Sequence, residues 1–125
     1  MLYYKEKNGG IKMGYQIYCG KGFDTQKAER FFKERRVAYQ RVDVLKYGIG
    51  KRELESVAAA VGLDALCDKT SKAYRESVIA YTQNRDSILA GLTEKPQLLK
   101  LPIVRDGRRA TVGYCPDVWE EWLKG

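Results

Sequence analysis

The sequence predicts an α/β domain built on a mixed four-stranded sheet. Three features lead to this prediction: a strand–helix–strand pattern near the N-terminus, an Asp-Gly turn between two short β-prone runs, and an amphipathic helix after them. The chain has 125 residues, of which 44% are hydrophobic, so residues 14–125 can form one domain with a buried core. Residues 1–13 contain Asn8-Gly9-Gly10 and are predicted to be a tail or an extra hairpin.

The first strand–helix–strand unit spans residues 15–44. Residues 15–18 are a short apolar-rich run typical of a strand, and a glycine-rich loop follows them. Asp24 and Thr25 are good N-cap residues for the next helix. The apolar residues of that helix share one face: Ala28, Phe31 and Phe32. Residues 37–44 predict a second strand, parallel to the first, with a right-handed crossover.

A mostly helical insertion is predicted for residues 48–99. A helix beginning near Lys51 has apolar residues at helical spacing and ends at Gly62. Two further helical pieces follow, and Pro96 closes the region.

A hairpin and a helix complete the predicted domain. Residues 101–104 predict a third strand, and Asp106-Gly107 is typical of a tight hairpin turn. Pro116 suits the first position of the final helix. The predicted buried side of this helix consists of Val118, Trp119, Trp122 and Leu123.

This order of elements is the thioredoxin topology with a helical segment between its two halves. In that topology a proline at the start of the third strand is usually cis, and it lies beside the loop before the first helix. Pro102 occupies this position, so we expect a cis bond there. A cis X-Pro bond costs only about 0.5–1 kcal/mol, which tertiary context readily supplies. Proline at a strand start is also an ordinary strand-entry residue.

The composition excludes several chemistries. The chain has no histidine, so it cannot activate a nucleophile through Ser-His-Asp or Cys-His pairing, nor build a histidine zinc site. Its three cysteines are Cys19, Cys67 and Cys115, which are widely spaced and form no CxxC pair. This pattern disfavours a disulfide framework or a zinc knuckle. We therefore expect reduced thiols, no metal site and no cofactor.

The net charge of +7 suits an anionic partner, such as nucleic acid, an acidic protein face or an oxyanion. The basic residues are spread in short groups, however, and no recognised nucleic-acid motif occurs. Ordinary surface charge is the preferred interpretation, and direct nucleic-acid binding is disfavoured. The sequence has neither a long apolar run nor a secretory signal. We expect a cytoplasmic protein that makes no contact with a membrane.

At several motifs the chain resembles the ArsC family, which contains arsenate reductases and the transcriptional regulator Spx. The strongest match is residues 95–104, Lys-Pro-Gln-Leu-Leu-Lys-Leu-Pro-Ile-Val, followed by Asp106-Gly107 and Val112-Gly113-Tyr114. Residues 66–74 and 24–28 are also similar to the family. The resemblance covers most of residues 14–123.

Two groups that this resemblance leads us to expect are missing. The family's nucleophile is a cysteine at the N-terminus of the first helix, where this chain has Gly22 or Phe23, depending on the alignment. The arginine before the proline, which helps the enzymes to hold the oxyanion, is Leu101 here. A thiolate at a helix N-terminus is stabilised by the helix dipole and free N–H groups. Without it, arsenate reduction has no obvious nucleophile.

Two kinds of candidate site remain near this loop. Cys19 is the nearest substitute nucleophile or redox-sensing thiol, although a free cysteine closing a strand is usually a small buried apolar residue. The start of the helix is a candidate anion site because its free N–H groups can cradle an anion. The residues assigned to that site are Lys21, Gly22, Phe23, Asp24 and Lys100. Gly20-Lys21-Gly22 does not match a phosphate-binding P-loop, and Asp24 is better explained as a helix cap.

The preferred functional hypothesis is a non-catalytic protein-binding or regulatory module. The resemblance to Spx implies RNA polymerase as a partner, although Spx-like proteins usually keep a CxxC at the helix start and this chain does not. The alternative is a thiol-dependent oxidoreductase, similar to arsenate reductase, that uses Cys19. Direct nucleic-acid binding is a third, weaker hypothesis.

Overall fold

The computed structural model describes residues 3–5 and 11–124, in which the strands form two separate sheets. The strands are β1 (Tyr3–Lys5), β2 (Ile11–Met13), β3 (Tyr15–Cys19), β4 (Tyr39–Asp43), β5 (Ile103–Asp106) and β6 (Arg109–Val112). β1 and β2 pair antiparallel as a two-stranded sheet. The predicted turn at Asn8-Gly9-Gly10 lies outside the described residues.

The larger sheet has the strand order β4-β3-β5-β6. β3 and β4 are parallel, whereas β3 pairs antiparallel with β5, and β5 with β6. This confirms the predicted mixed four-stranded sheet. The Leu101–Pro102 peptide bond is cis, as the thioredoxin topology led us to expect.

Helices cover both faces of this sheet. They are α1 (Phe23–Glu34), α2 (Val44–Tyr47), α3 (Lys51–Val61), α4 (Lys72–Arg75), α5 (Arg85–Glu94) and α6 (Pro116–Lys124), with short 3₁₀ helices at Asp64–Leu66, Val78–Tyr81 and Pro96–Leu98. All elements between β4 and β5 are helical, and α3 ends at Gly62 as predicted.

The start of α1 differs from the prediction. Gly22 is the N-cap, with a φ of 113°, and no side chain caps the helix. The prediction that Asp24 or Thr25 would cap α1 is therefore wrong. Glycine adopts this positive φ without strain, so the helix begins before either residue. Asp24 lies in the first turn, where its charge suits the helix dipole, and the Thr25 hydroxyl accepts a hydrogen bond from the Gly20 N–H at 3.2 Å.

Two buried clusters lie on opposite faces of the sheet, because successive side chains of a strand point to opposite faces. The aromatic cluster consists of Ile17, Cys19, Ala28, Phe31, Phe32, Val104 and Trp119. The aliphatic cluster consists of Tyr18, Val44, Ile49, Leu54, Val57, Ala58, Leu66, Cys67, Ile79, Leu89, Leu92, Leu98, Leu99 and Ile103. The first cluster is covered by α1 and α6, and the second by the helical insertion.

The buried side of α6 is narrower than predicted. Trp119 is fully buried, and Trp122 packs partly against the aromatic cluster. Val118 and Leu123 are 42% and 36% exposed, so their predicted burial is wrong. Only the residues on the stripe of Trp119 meet the sheet, because each step along a helix rotates the side chain by about 100°.

Candidate functional site

The loop between β3 and α1 is open to solvent. Gly20 and Lys21 line a depression of about 320 Å³ together with the charged side chains of Arg41, Asp43 and Lys46. A second depression, of about 190 Å³, lies beside it and includes Leu101. Phe23, the first residue of α1, is 77% exposed. The helix start therefore presents an aromatic ring, with a lysine on the loop before it.

Leu101 packs directly over this loop. A Cβ atom placed on Gly20 would lie 2.6 Å from Leu101 Cδ1, so only glycine leaves room for this side chain in its present position. Leu101 precedes the cis-proline and adds no charge to the loop. The side chain that packs against Gly20 is thus aliphatic and supplies an anion with neither a hydrogen-bond donor nor a positive charge.

Cys19 lies behind the loop rather than in it. The residue is 1% exposed and belongs to the aromatic cluster. Its Sγ donates a hydrogen bond to the Ile17 carbonyl oxygen at 3.5 Å. Burial, with a smaller contribution from the charge of Glu29, raises the pKa of the Cys19 thiol to about 11. The side chain has the surroundings of a small core residue.

The other two cysteines carry free thiols. Cys67 is buried and Cys115 is partly buried, and neither forms a disulfide. Burial raises the pKa of both thiols.

Four of the five residues assigned to an anion site lie together, and the fifth, Lys100, lies beside Gly113. Lys21, Gly22, Phe23 and Asp24 follow one another at the helix start and are all exposed. Lys100 instead lies beside Gly113, where a Cβ atom would be 4.0 Å from Lys100 Cε. Among the described residues, Lys100 does not line either depression beside Lys21.

Arg41 and Lys46 join Lys21 in the larger depression, and the sequence analysis missed both. Arg41 lies on β4, which runs parallel to β3, and Lys46 lies just after β4. Parallel neighbouring strands end at the same edge of a sheet, and this rule could have identified Lys46. It does not indicate Arg41, which lies opposite Ile17 in the middle of β4.

A second surface, also missed, runs along the outside of α1. Phe23, Lys27 and Arg30 are spaced i, i+4 and i+7, so they share one face of the helix. We call these three residues the α1 stripe. Lys27 Nζ lies 5.7 Å from the ring centroid of Tyr114, which is 41% exposed. Lys27, Arg30 and Tyr114 are among the residues lining a cavity of about 330 Å³ next to the stripe.

A polar network crosses the aliphatic face of the sheet. The hydroxyl of buried Tyr18 donates to Glu53 Oε2 at 2.7 Å, and Arg105 Nη1 donates to the same hydroxyl at 3.4 Å. Arg105 Nη2 also reaches Ser56 Oγ at 3.2 Å. Burial and the carboxylate of Glu53 raise the pKa of Tyr18 to about 12. These contacts join β3 and β5 to α3.

The described residues offer neither a metal site nor a membrane-spanning helix. No group of three or more Cys, Asp or Glu side chains there is arranged to hold a metal ion. None of the described helices is long and apolar enough to cross a membrane.

Comparison with known proteins identifies the family. The family model of the ArsC family matches residues 12–122. The chain belongs to the ArsC family. This confirms the resemblance seen in the motifs at residues 95–104 and in the order of the elements.

The proteins that this chain resembles include a transcriptional regulator and an arsenate reductase. The chain is 29% identical over 114 residues to global transcriptional regulator Spx 2 of Oceanobacillus iheyensis, an alignment covering 89% of this chain and 84% of the relative. Its structure is similar to an arsenate reductase from Vibrio cholerae, with a TM-score of 0.78, 23% identity and coverage of 88% and 98% of the two chains. A Staphylococcus aureus protein gives a TM-score of 0.74 at 26% identity, covering 87% and 98%.

Proposed function

We propose that this ArsC-family chain is a non-catalytic regulatory module that acts in the cytoplasm by binding a protein partner. The observation that supports the proposal is the start of α1, where an exposed Phe23 stands at the helix terminus and the nearest thiol is buried behind it. The similarity to a global transcriptional regulator makes RNA polymerase the first partner to test.

The state of Cys19 argues against thiol chemistry at this loop. The thiolate is the reactive form of cysteine. With the pKa of Cys19 at about 11, only about one molecule in ten thousand carries a thiolate at pH 7. The sulfur would also have to leave the aromatic cluster to meet a substrate. An exposed aromatic residue is, by contrast, a common anchor in protein interfaces.

The first experiment tests for catalysis. Purified wild-type chain and the Cys19→Ser variant are assayed for arsenate reduction with glutathione and glutaredoxin, and separately with thioredoxin. We expect neither protein to exceed the background rate. Turnover by the wild type that is absent from Cys19→Ser would contradict the proposal and favour the oxidoreductase alternative.

The second experiment tests for the partner. Binding of the chain to purified bacterial RNA polymerase core is measured by surface plasmon resonance. We expect Phe23→Ala to weaken binding about tenfold or more, as truncation of an interface anchor does. Val78→Ala is the matched control because Val78 is 82% exposed and lies in the helical insertion. No binding, or equal losses in the two variants, would contradict this choice of partner and surface.

A further inference from the structure

The α1 stripe combines an exposed aromatic ring with two basic side chains. Phe23 is 77% exposed, and Lys27 and Arg30 are both exposed. Among the described residues, no carboxylate oxygen lies within 4.0 Å of Lys27 Nζ or the Arg30 guanidinium. The neighbouring Arg35, by contrast, pairs with Glu120 at 2.8 Å. The two cations of the stripe are therefore available to an incoming ligand.

The cavity next to the stripe has an aromatic floor. Phe31 lies under it, and the half-exposed Tyr114 forms one wall. Tyr114 is fixed edge-to-face against Trp119, with ring centroids 5.7 Å apart. This wall is rigid because Trp119 is itself fully buried. The result is a hollow of about 330 Å³ in which aromatic rings meet charged side chains, three of them basic and one acidic: Lys27, Arg30, Arg35 and Glu34. The guanidinium carbon of Arg35 lies 3.8 Å from the centroid of the Phe31 ring.

We propose that the α1 stripe and the adjoining turn at Tyr114 and Pro116 form the docking surface for a short acidic peptide segment that carries an apolar side chain. This inference rests on the proposed protein-binding function and names the chemistry of the partner. The acidic side chains meet Lys27 and Arg30, and the apolar side chain packs against Phe23.

The dimensions of the stripe limit the length of this segment. Arg30 lies seven positions after Phe23, which is about 10 Å along a helix axis. An extended peptide covers that distance in about three residues. The segment thus has its apolar residue next to one or two acidic residues.

The charges around the cavity favour a peptide over a nucleic acid. Glu34 is among the residues lining the cavity, and the carboxylate of Glu120 lies beside Arg35. These two carboxylates interrupt the basic surface, whereas a phosphodiester chain needs a continuous basic track.

The test uses a fluorescein-labelled octapeptide, Gly-Ser-Leu-Phe-Asp-Glu-Ser-Gly, and fluorescence anisotropy with the full chain. Two control peptides carry Lys-Lys in place of Asp-Glu, or Ala-Ala in place of Leu-Phe. We expect saturable binding of the first peptide only. Binding should weaken as ionic strength rises from about 0.1 M to about 1 M, because the Debye length falls from about 10 Å to about 3 Å.

Two matched double variants test whether the peptide binds at the α1 stripe. Lys27→Gln combined with Arg30→Gln should weaken binding about tenfold. The control combines Lys72→Gln with Arg75→Gln, an exposed lysine–arginine pair with the same i, i+3 spacing on α4, and should leave affinity unchanged. Amide chemical-shift changes on adding the peptide should centre on Lys27, Arg30 and Tyr114. Thermal unfolding followed by circular dichroism checks that both variants fold.

Four other outcomes would contradict either the proposed docking surface or the proposed function. Equal losses in the two variants would mean that the peptide senses only the net charge. Tighter binding of a 20-base-pair DNA duplex through Lys27 and Arg30 would make the surface a nucleic-acid site. RNA polymerase binding through Phe23 without peptide binding would reject the acidic segment and leave the proposed function standing. Arsenate turnover through Cys19 would instead reject the proposed function itself.

Discussion

The two faces of the four-stranded sheet are packed in different ways. On one face, a single residue of α6, Trp119, touches three other aromatic rings, with centroids 5.2 Å from Phe31, 5.3 Å from Phe32 and 5.7 Å from Tyr114. On the other face, the aliphatic cluster draws residues from several helices of the insertion, including α3 and α5. The aromatic face therefore depends on one side chain, whereas the aliphatic face distributes its stability over many.

Truncation of Trp119 should have the largest effect. Trp119→Ala leaves a large cavity beside Phe31 and Phe32 and leaves Thr111 without the hydrogen bond from the indole N–H at 2.8 Å. We expect a loss of about 3–5 kcal/mol in the free energy of unfolding, measured by urea titration with circular dichroism. Val118→Ala is the control, since Val118 is 42% exposed, and should change stability by less than about 0.5 kcal/mol. A similar loss in both variants would show that Trp119 is not the centre of this face.

Truncation of a leucine on the aliphatic face should lower the free energy of unfolding by less than truncation of Trp119. Leu92 is fully buried on α5, and Leu92→Ala should lower the free energy of unfolding by about 2–4 kcal/mol. The loss is smaller because a leucine leaves a smaller cavity than an indole ring, and neighbouring side chains can partly fill it. Val78→Ala, at an exposed position of the same insertion, is the control. If Leu92→Ala lowered the free energy of unfolding more than Trp119→Ala, the aliphatic face would be the one that depends more on a single side chain.

Helical periodicity predicts part of each face, since the apolar positions of α3 at helical spacing, Leu54, Val57 and Ala58, are also buried. Phe31, Phe32 and Trp119 follow local helical spacing, so their burial could be inferred from periodicity. Contacts such as Tyr18–Glu53 join residues 35 positions apart in the chain, and no local pattern indicates such a pair. The narrow buried stripe of α6, which leaves Val118 exposed, depends on how the helix docks and is also invisible to periodicity.

At the candidate site, too, local sequence patterns predict some features and not others. The missing cysteine at the helix start can be seen in the sequence, because neither Gly22 nor Phe23 supplies a thiol. The position of Lys100 beside Gly113 could not be inferred, since it depends on the path of the chain before the cis-proline. The alignment of Phe23 with Lys27 and Arg30 follows from helical spacing alone, but its exposure requires the packing of α1 to be known.

The hydrogen bond between Tyr18 and Glu53, on the aliphatic face, should stabilise the fold in a pH-dependent way. Tyr18→Phe leaves Glu53 Oε2 without its donor and should cost about 1–2 kcal/mol at neutral pH. The pKa of Tyr18 is raised from 10.0 to about 12 in the folded chain. Between pH 10 and pH 12 the folded state therefore keeps the Tyr18 proton that the unfolded state loses. The stabilisation of the fold by this hydroxyl is complete below pH 10 and is lost as the pH rises towards 12.

Urea midpoints of the wild type and Tyr18→Phe measure this effect. The difference between them should shrink as the pH is raised from about 9 to about 11.5. Tyr39, whose pKa is also raised by burial and Glu29, contributes to the pH dependence of both proteins and cancels in the difference. A constant difference across this range would show that the Tyr18 hydroxyl is not held by Glu53.

The smallest effect is expected at Cys19, the neighbour of Tyr18 whose side chain points to the opposite face. Within the part of the chain that the structure describes, its thiol has one hydrogen-bond partner, the Ile17 carbonyl oxygen. Cys19→Ala should therefore cost about 1 kcal/mol, close to the loss of one small buried group. The pKa of this thiol is raised from 9.0 to about 11. Its contribution to stability is therefore present below pH 9 and is lost as the pH rises through 11.

The reactivity of this thiol can be measured directly with iodoacetamide on variants that keep a single cysteine. Cys115, which is only partly buried, should be alkylated in the native protein at pH 8, whereas Cys19 should react at a comparable rate only in urea. Rapid native alkylation of Cys19 would mean that its side chain leaves the aromatic cluster and reaches solvent near Lys21. The aromatic face would then be the mobile one, and the loop before α1 would regain the thiol that a catalytic role needs.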